Sequence, residues 1–278
     1  MKKYTNLLFI ILILCLSLCG CADNSNNNNS NNNGNNSSNN TQDTKEEWLV
    51  SRESVYENDA LTDYMVSEYD SQGKIIKYSG FTGDDTLVYY YEYSYDQDGN
   101  CDSVRNCDST GALNHTIDYE YDKNNYLTKS TITFSNGNVY SVSEYENNEK
   151  GDPVKLSVYY DNSDKPSVIT EYEYDGQGTI VKVVTVEQES NYRSINEYEK
   201  GEIVKVSRYD GNGNLYDLIE YSYEYNDDGS IKSFIYKSYD EIEKYYYEYD
   251  ANGNVLSLKE YDQDDNLVLA YIYEYIKK

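Results

Sequence analysis

The chain has 278 residues, enough for one large or two small domains. Tyr supplies 36 of them, against 4 Phe, 1 Trp and only 2 Pro, so aromatic strand formers dominate and strand breakers are scarce. The formal charge of −27 disfavours nucleic acid, whose binding needs clustered Lys and Arg, and favours cations or basic partners.

Residues 1–20 read as an export signal. Lys2 and Lys3 form a positive start, and Leu7 to Leu18 form an apolar run of about a dozen residues, too short to span a bilayer. The run ends in Leu18-Cys19-Gly20-Cys21, which resembles the bacterial lipobox. That resemblance implies cleavage after Gly20 and lipidation of Cys21, with the membrane as a partner through the N-terminal lipid. Two or more acyl chains make such an anchor stable.

Residues 21–46 are then the lipidated Cys and a tether of almost pure Asn and Ser, with no apolar side chain to offset the entropy of ordering. At ~5–6 Å × √n its reach is about 25–30 Å. The expected localisation is extracytoplasmic, on the membrane of a bacterium. Richness in Asn, Lys, Tyr and Ile fits an AT-rich, Gram-positive genome.

Residues 47–278 are expected to form a single β-repeat domain. Tyr69, Tyr95, Tyr121, Tyr145, Tyr174, Tyr198, Tyr225, Tyr249 and Tyr275 recur every 24–29 residues, the mark of a repeat architecture. Most are followed by a turn such as Asp96-Gln97-Asp98-Gly99-Asn100 or Asp250-Ala251-Asn252-Gly253-Asn254. A second turn series, including Asp210-Gly211-Asn212-Gly213 and Asp262-Gln263-Asp264-Asp265, falls halfway between. Each repeat is therefore two strands and two turns.

Tyr91, Tyr93 and Tyr95 alternate with Glu92 and Ser94, and Tyr221, Tyr223 and Tyr225 with Ser222 and Glu224. Period two puts Tyr on one face and Glu or Ser on the other. Lys77, Lys155, Lys182 and Lys205 fall where they can pair across strands with the Glu row. Asp caps backbone N–H groups in the turn, and Asn-Gly tolerates positive φ.

The fold expected is all-β, a long antiparallel β-meander of about 16–18 strands built from two-strand repeats of about 26 residues. The residues leave open whether such a meander curls, closes or folds into two layers. The arrangement adopted here is a single elongated, twisted or superhelical sheet array.

The pattern Tyr-x-Tyr-Asp-x-x-Gly-Asn resembles the YD-repeat (Rhs-like) family of bacterial surface and secreted proteins. It departs from that family in carrying Asn100, Asn214 and Asn254 where an Arg often follows the turn Gly. The resemblance implies an extracellular β-repeat scaffold, in some members a shell and in others a carbohydrate-binding surface. It implies no particular ligand.

Catalytic chemistry finds little support. His115 is the one His, with no second His to complete a site. Glu171/Glu173 and Glu197/Glu199 have spacings near those of inverting glycosidases, but they recur with the repeat. Asp96 to Asn100 opens like a calcium loop, yet the twelfth position is Cys107. Cys101 and Cys107 lie too far apart along one strand to bridge without a sharp bend. No catalytic residue, metal ligand or cofactor is assigned.

The function expected is a non-enzymatic, lipid-anchored scaffold for cell-envelope or extracellular partners, with an envelope glycan or a protein as ligand. The alternative is carbohydrate or choline-type binding by a Tyr face, comprising Tyr93, Tyr95, Tyr119, Tyr121, Tyr172, Tyr174, Tyr223, Tyr225, Tyr247 and Tyr249. A third reading is a cell-wall hydrolase using the Glu pairs.

Overall fold

The computed structural model describes residues 47–278. The expected signal segment, Cys21 and tether lie outside the described residues. Eighteen strands follow one another: β1 Trp48–Glu57, β2 Ala60–Tyr69, β3 Ile75–Thr82, β4 Leu87–Tyr95, β5 Cys101–Asp108 and β6 Leu113–Tyr121. Next come β7 Leu127–Phe134, β8 Val139–Asn147, β9 Pro153–Tyr160, β10 Val168–Tyr174, β11 Ile180–Glu187 and β12 Arg193–Glu199. The last six are β13 Glu202–Tyr209, β14 Leu215–Tyr225, β15 Ile231–Lys237, β16 Ile242–Tyr249, β17 Val255–Tyr261 and β18 Leu267–Lys277.

Each strand pairs antiparallel with the next, and β18 returns to β1 in a register running from Trp48↔Lys277 to Glu57↔Leu269. The sheet is therefore a closed barrel. The expected open, elongated or superhelical array is wrong, although its strand type, strand number and meander order are found. Closure leaves neither terminal strand with an unpaired row of N–H and C=O groups, a liability that an open array would carry at both ends.

The turns form as their residues dictate. In Asp250-Ala251-Asn252-Gly253, one Asp250 carboxylate oxygen accepts from the amides of Asn252 and Asn254 at 2.8 Å each. Asp70, Asp122, Asp175, Asp210 and Asp262 do the same in their own turns. Gly253 sits at φ 86°, where a Cβ is strained; Asn125 takes that place in a turn without Gly, at φ 63°.

Curvature has a local source. After each of these turns the second strand carries one extra residue. Glu248 faces Ser257 and Tyr249 faces Val255, which leaves Leu256 unpaired. The same slip occurs at Glu68/Tyr69, Ser94/Tyr95, Glu120/Tyr121 and Glu173/Tyr174. Such bulges bend a strand and add right-handed twist. They are invisible to a motif count because the inserted position holds ordinary strand residues.

The hairpins are also staggered. β3 pairs with β2 from Ile75 but with β4 only from Lys77, and β5 pairs with β4 from Cys101 but with β6 only from Ser103. A regular offset of this kind tilts the strands and allows a sheet to close.

The two faces differ in kind. The convex face carries the charge ladder: Lys129–Glu120 at 2.8 Å, Lys155–Glu146 at 2.8 Å, Lys182–Glu173 at 2.7 Å and Lys259–Glu248 at 2.9 Å. These pairs are partly exposed, so their value is solubility and register more than stability. The concave face carries the Tyr rows. Tyr172 interacts with Tyr145 and Tyr198, each two strands away, as rings on the inside of a curve do.

Substantial strand-to-strand contact is confined to sheet neighbours. Eighteen strands far exceed the eight whose side chains can fill a barrel, so the Tyr face encloses a lumen rather than a solid core.

A Gly253→Ala change should destabilise the barrel by about 1–2 kcal/mol, the cost of a Cβ in the left-handed region. Gly176→Ala, in open space without positive φ, should stay within about 0.5 kcal/mol. Urea denaturation followed by circular dichroism reads both; equal shifts would contradict the turn assignment.

Candidate functional site: a tyrosine-lined inner face

The Tyr of the repeat motif has a specific job. Where the stagger ends a ladder early, a residue at or near the start of one strand has a carbonyl that the next strand no longer meets. The last Tyr of that next strand donates its hydroxyl to it: Tyr69 to Val50, Tyr95 to Ile75, Tyr121 to Cys101, Tyr174 to Pro153, Tyr249 to Ile231 and Tyr275 to Val255, all at 2.7–2.8 Å. In β8, Asn147 replaces Tyr and reaches the Leu127 carbonyl at 2.7 Å through its amide nitrogen. In β14, Tyr223 takes the role on the Ile203 carbonyl at 2.8 Å. An orphaned backbone acceptor is thus satisfied strand pair after strand pair.

The candidate ligand face divides accordingly. Tyr95, Tyr121, Tyr174, Tyr223 and Tyr249 have hydroxyls committed to backbone carbonyls. Tyr93 is buried in a local core with Ile75, Cys101 and Val104, against which Tyr95 and Tyr119 pack. Burial pushes the Tyr172 hydroxyl up to about 12. Tyr247 stacks on Tyr249 with centroids 6.0 Å apart, and Tyr225 is exposed, with the Lys200 ammonium 5.7 Å from its ring centroid. The ten residues therefore occupy three sectors of one inner wall, β4 to β6, β10, and β14 to β16. They do not converge on a single site.

Sequence reasoning missed the densest part of that wall. Phe234 stacks on Tyr245 at 4.3 Å, Tyr221 meets Tyr236 edge-on at 5.6 Å, and Tyr245 donates to the Glu243 carboxylate at 2.6 Å. Burial and the Glu243 bond raise the Tyr245 hydroxyl well above the ordinary phenol range. Burial likewise raises Glu53 and Glu243, so two carboxylates stand among rings on the inner face. The signal was present: Glu243, Tyr245, Tyr247 and Tyr249 fall at successive period-two positions, which places Glu243 on the Tyr face.

The catalytic candidates are dispersed. Glu173 and Glu197 belong to the outer ladder, paired with Lys182 and with Lys205 at 3.1 Å. His115 faces Asn106 and Phe134 across the sheet, and burial lowers its pKa. Cys101 and Cys107 are free and buried: Cys101 lies in the inner cluster, Cys107 against the Tyr90 hydroxyl. Among the described residues, no group of three or more His, Cys, Asp and Glu is placed to hold a metal ion.

Neither a family model nor a curated protein matches the sequence. Among solved structures, a TcdB2-TccC3 crystal structure is 11% identical at a TM-score of 0.38; it matches 78% of this chain and 15% of its own. The chain thus spans about one seventh of that protein's length. A porin-like protein from Bacteroides uniformis is 13% identical at a TM-score of 0.44, over 82% of this chain and 98% of its own. A second porin-like protein, from Bacteroides vulgatus, is 12% identical at a TM-score of 0.40 over the same shares. At these values the likenesses assign neither a family nor an activity.

Tyr172, Tyr221 and Tyr271 are each pushed up to about 12 by burial, against 10.0 for a free phenol. Between these values the folded chain keeps protons that the unfolded chain releases. The stabilising contribution is complete below pH 10 and is lost as pH rises toward 12. Tyrosinate absorbance should therefore rise together with loss of the β circular dichroism signal. Ionisation of most Tyr near pH 10 with the β signal intact would contradict an enclosed Tyr wall.

Proposed function

We propose that this protein is a lipid-anchored extracytoplasmic scaffold, a β-barrel held beside a bacterial membrane for interaction with envelope or extracellular partners. The observation that carries this reading is the sidedness of the barrel, charged outside and tyrosine-lined inside. A barrel spanning a bilayer needs an apolar band on its outer face. Here that face would turn Lys129, Lys155, Lys182 and their Glu partners toward lipid, whereas in water it is well solvated.

The lipobox-like Leu18-Cys19-Gly20-Cys21 supplies the anchor in this reading. Trp48 pairs with Lys277 and the Lys278 amide donates to the Glu47 carbonyl, so both ends of the described chain meet at one mouth. A tether entering there would hold that mouth toward the membrane and present the opposite one outward. The Tyr-Asp-x-x-Gly-Asn repeats keep affinity to the YD-repeat proteins as part of the proposal.

A second reading, carbohydrate or choline-type binding at the inner wall, is favoured by one feature. The sector from β14 through β18 to β1 combines stacked rings with Glu243 and with Glu53, which pairs with Tyr273 across the closure, an arrangement that suits sugar rings or a quaternary ammonium.

Acyl labelling of cells expressing the protein should mark the chain, and Cys21→Ala should abolish the label and release the protein from membranes. A Cys21→Ala form that still sediments with membranes would refute the anchor. A glycan array and a choline-resin pull-down that both stay blank would end the second reading.

A further inference from the structure

The mouth opposite the chain ends differs from the one beside them. It is formed by the β1–β2 turn and by the turns that follow β3, β5, β7, β9, β11, β13, β15 and β17. Exposed apolar side chains recur along it, Val88 in β4 and Tyr239 between β15 and β16 among them, and five fall between β7 and β14. Phe134 ends β7, Tyr140 is the second residue of β8, Tyr192 precedes β12, and Leu215 and Tyr216 open β14; each is more than 40% exposed, Tyr216 reaching 53%. They contact other aromatics there: Phe134 lies 5.2 Å from Tyr140, Tyr140 5.6 Å from Tyr160, and Tyr192 5.9 Å from Tyr216. Scattered single apolar residues are ordinary on a surface, but a stretch of this kind at one rim marks an interaction site.

The rim is braced. The Ser135 amide donates to the Asn114 carbonyl at 2.9 Å, Asp161 to Tyr140 at 3.3 Å, and Gln188 to Ser167 at 2.8 Å, so neighbouring turns are tied together. Among the residues at this mouth between β9 and β14, Asp161, Asp164, Glu187 at the end of β11, Glu189 and Asp210 bring negative charge. The cations of this stretch are few. Arg208 is held by Asp217 at 2.6 Å, and Arg193 lies over the Tyr209 ring at 4.8 Å, leaving Lys165 in the β9–β10 loop.

The Arg193–Tyr209 contact displays, within the chain, how this rim can hold a guanidinium. Arg52 over Tyr64, at 3.7 Å, repeats the mode elsewhere. Exposed Tyr faces flanked by carboxylates attract cationic side chains through the ring quadrupole and through net charge together.

We propose that the outward mouth between β7 and β14 docks a basic polypeptide segment, rich in Arg or Lys, whose charged heads lie over Tyr140, Tyr192 and Tyr216. This names the partner chemistry of the scaffold and rests on that reading only for which mouth faces away from the membrane.

The test is fluorescence anisotropy with labelled octaarginine and full-length protein in detergent, at low and at physiological ionic strength. Octaarginine should bind, and combined Tyr140→Ser, Tyr192→Ser and Tyr216→Ser changes should weaken it about tenfold or more. Ile76→Ser, Leu256→Ser and Ile276→Ser, near the opposite mouth, should leave it within about twofold. Glu187→Gln with Glu189→Gln should weaken binding several-fold, and Asp227→Asn with Asp228→Asn at the opposite mouth should not; this charge pair decides the matter if the Tyr variant fails to fold. No binding, equal binding of octaglutamate, or equal losses from changes at the two mouths would each overturn the proposal. Because the measurement does not depend on lipidation, its failure is distinct from a failure of the anchor test.

Discussion

The structure depends on how a staggered sheet satisfies the carbonyls that its stagger exposes. Closing the sheet requires each hairpin to be offset from the next, and the offset ends every second ladder two residues early. A bare carbonyl at each such point would have to rely on water at a crowded rim. The Tyr hydroxyls that reach Ile75, Cys101, Pro153, Ile231 and Val255 fill those places from the inside. The repeat motif is thus a single device. Its Asp and Gly make the turn, and its Tyr caps the neighbour that the turn leaves behind. Asn147 keeps the bond with a different side chain, which identifies the donor group, more than the ring, as the requirement at that point.

The same geometry explains the division of charge. Period-two alternation sends Glu and Lys to the convex face whenever Tyr faces inward, so the ladder of Lys–Glu pairs and the wall of rings are two consequences of one pattern. The exceptions are informative. Glu53 and Glu243 sit on the inner face among rings, where burial raises their pKa, and Arg208 sits there held by Asp217. These departures from the repeat, with the aromatic stretch at the mouth away from the chain ends, are where the barrel has features beyond those that hold it together.

Much of the fold can be read from the residues. Alternation in Tyr91 to Tyr95 and Tyr221 to Tyr225 defines strands, and the Asp-x-x-Gly turns define their ends and their antiparallel sense. Closure cannot be read in this way. It depends on the bulges at positions such as Leu256, on the two-residue offset, and on the pairing of β1 with β18, a contact between chain ends that no local motif encodes. The candidate face was half visible for the same reason. Periodicity finds Tyr95 and Tyr249 but says nothing of the carbonyls that occupy their hydroxyls, and it passes over Tyr245 and Phe234, whose stacking arises from cross-strand register. Glu243 was within reach of alternation alone.

Closure is the claim from which the Tyr caps, the enclosed face and the two unlike mouths all follow. Its most direct test is a distance between spin labels at Leu49 and Ile276, which face each other across β1 and β18. A closed barrel places the labels within about 20 Å, since paired strands lie ~5 Å apart and the label arms add the rest. An open array of the same strands, at ~4.8 Å per strand, would separate them by about 80 Å. A short, narrow distance distribution is the result expected, and a long one would contradict the barrel.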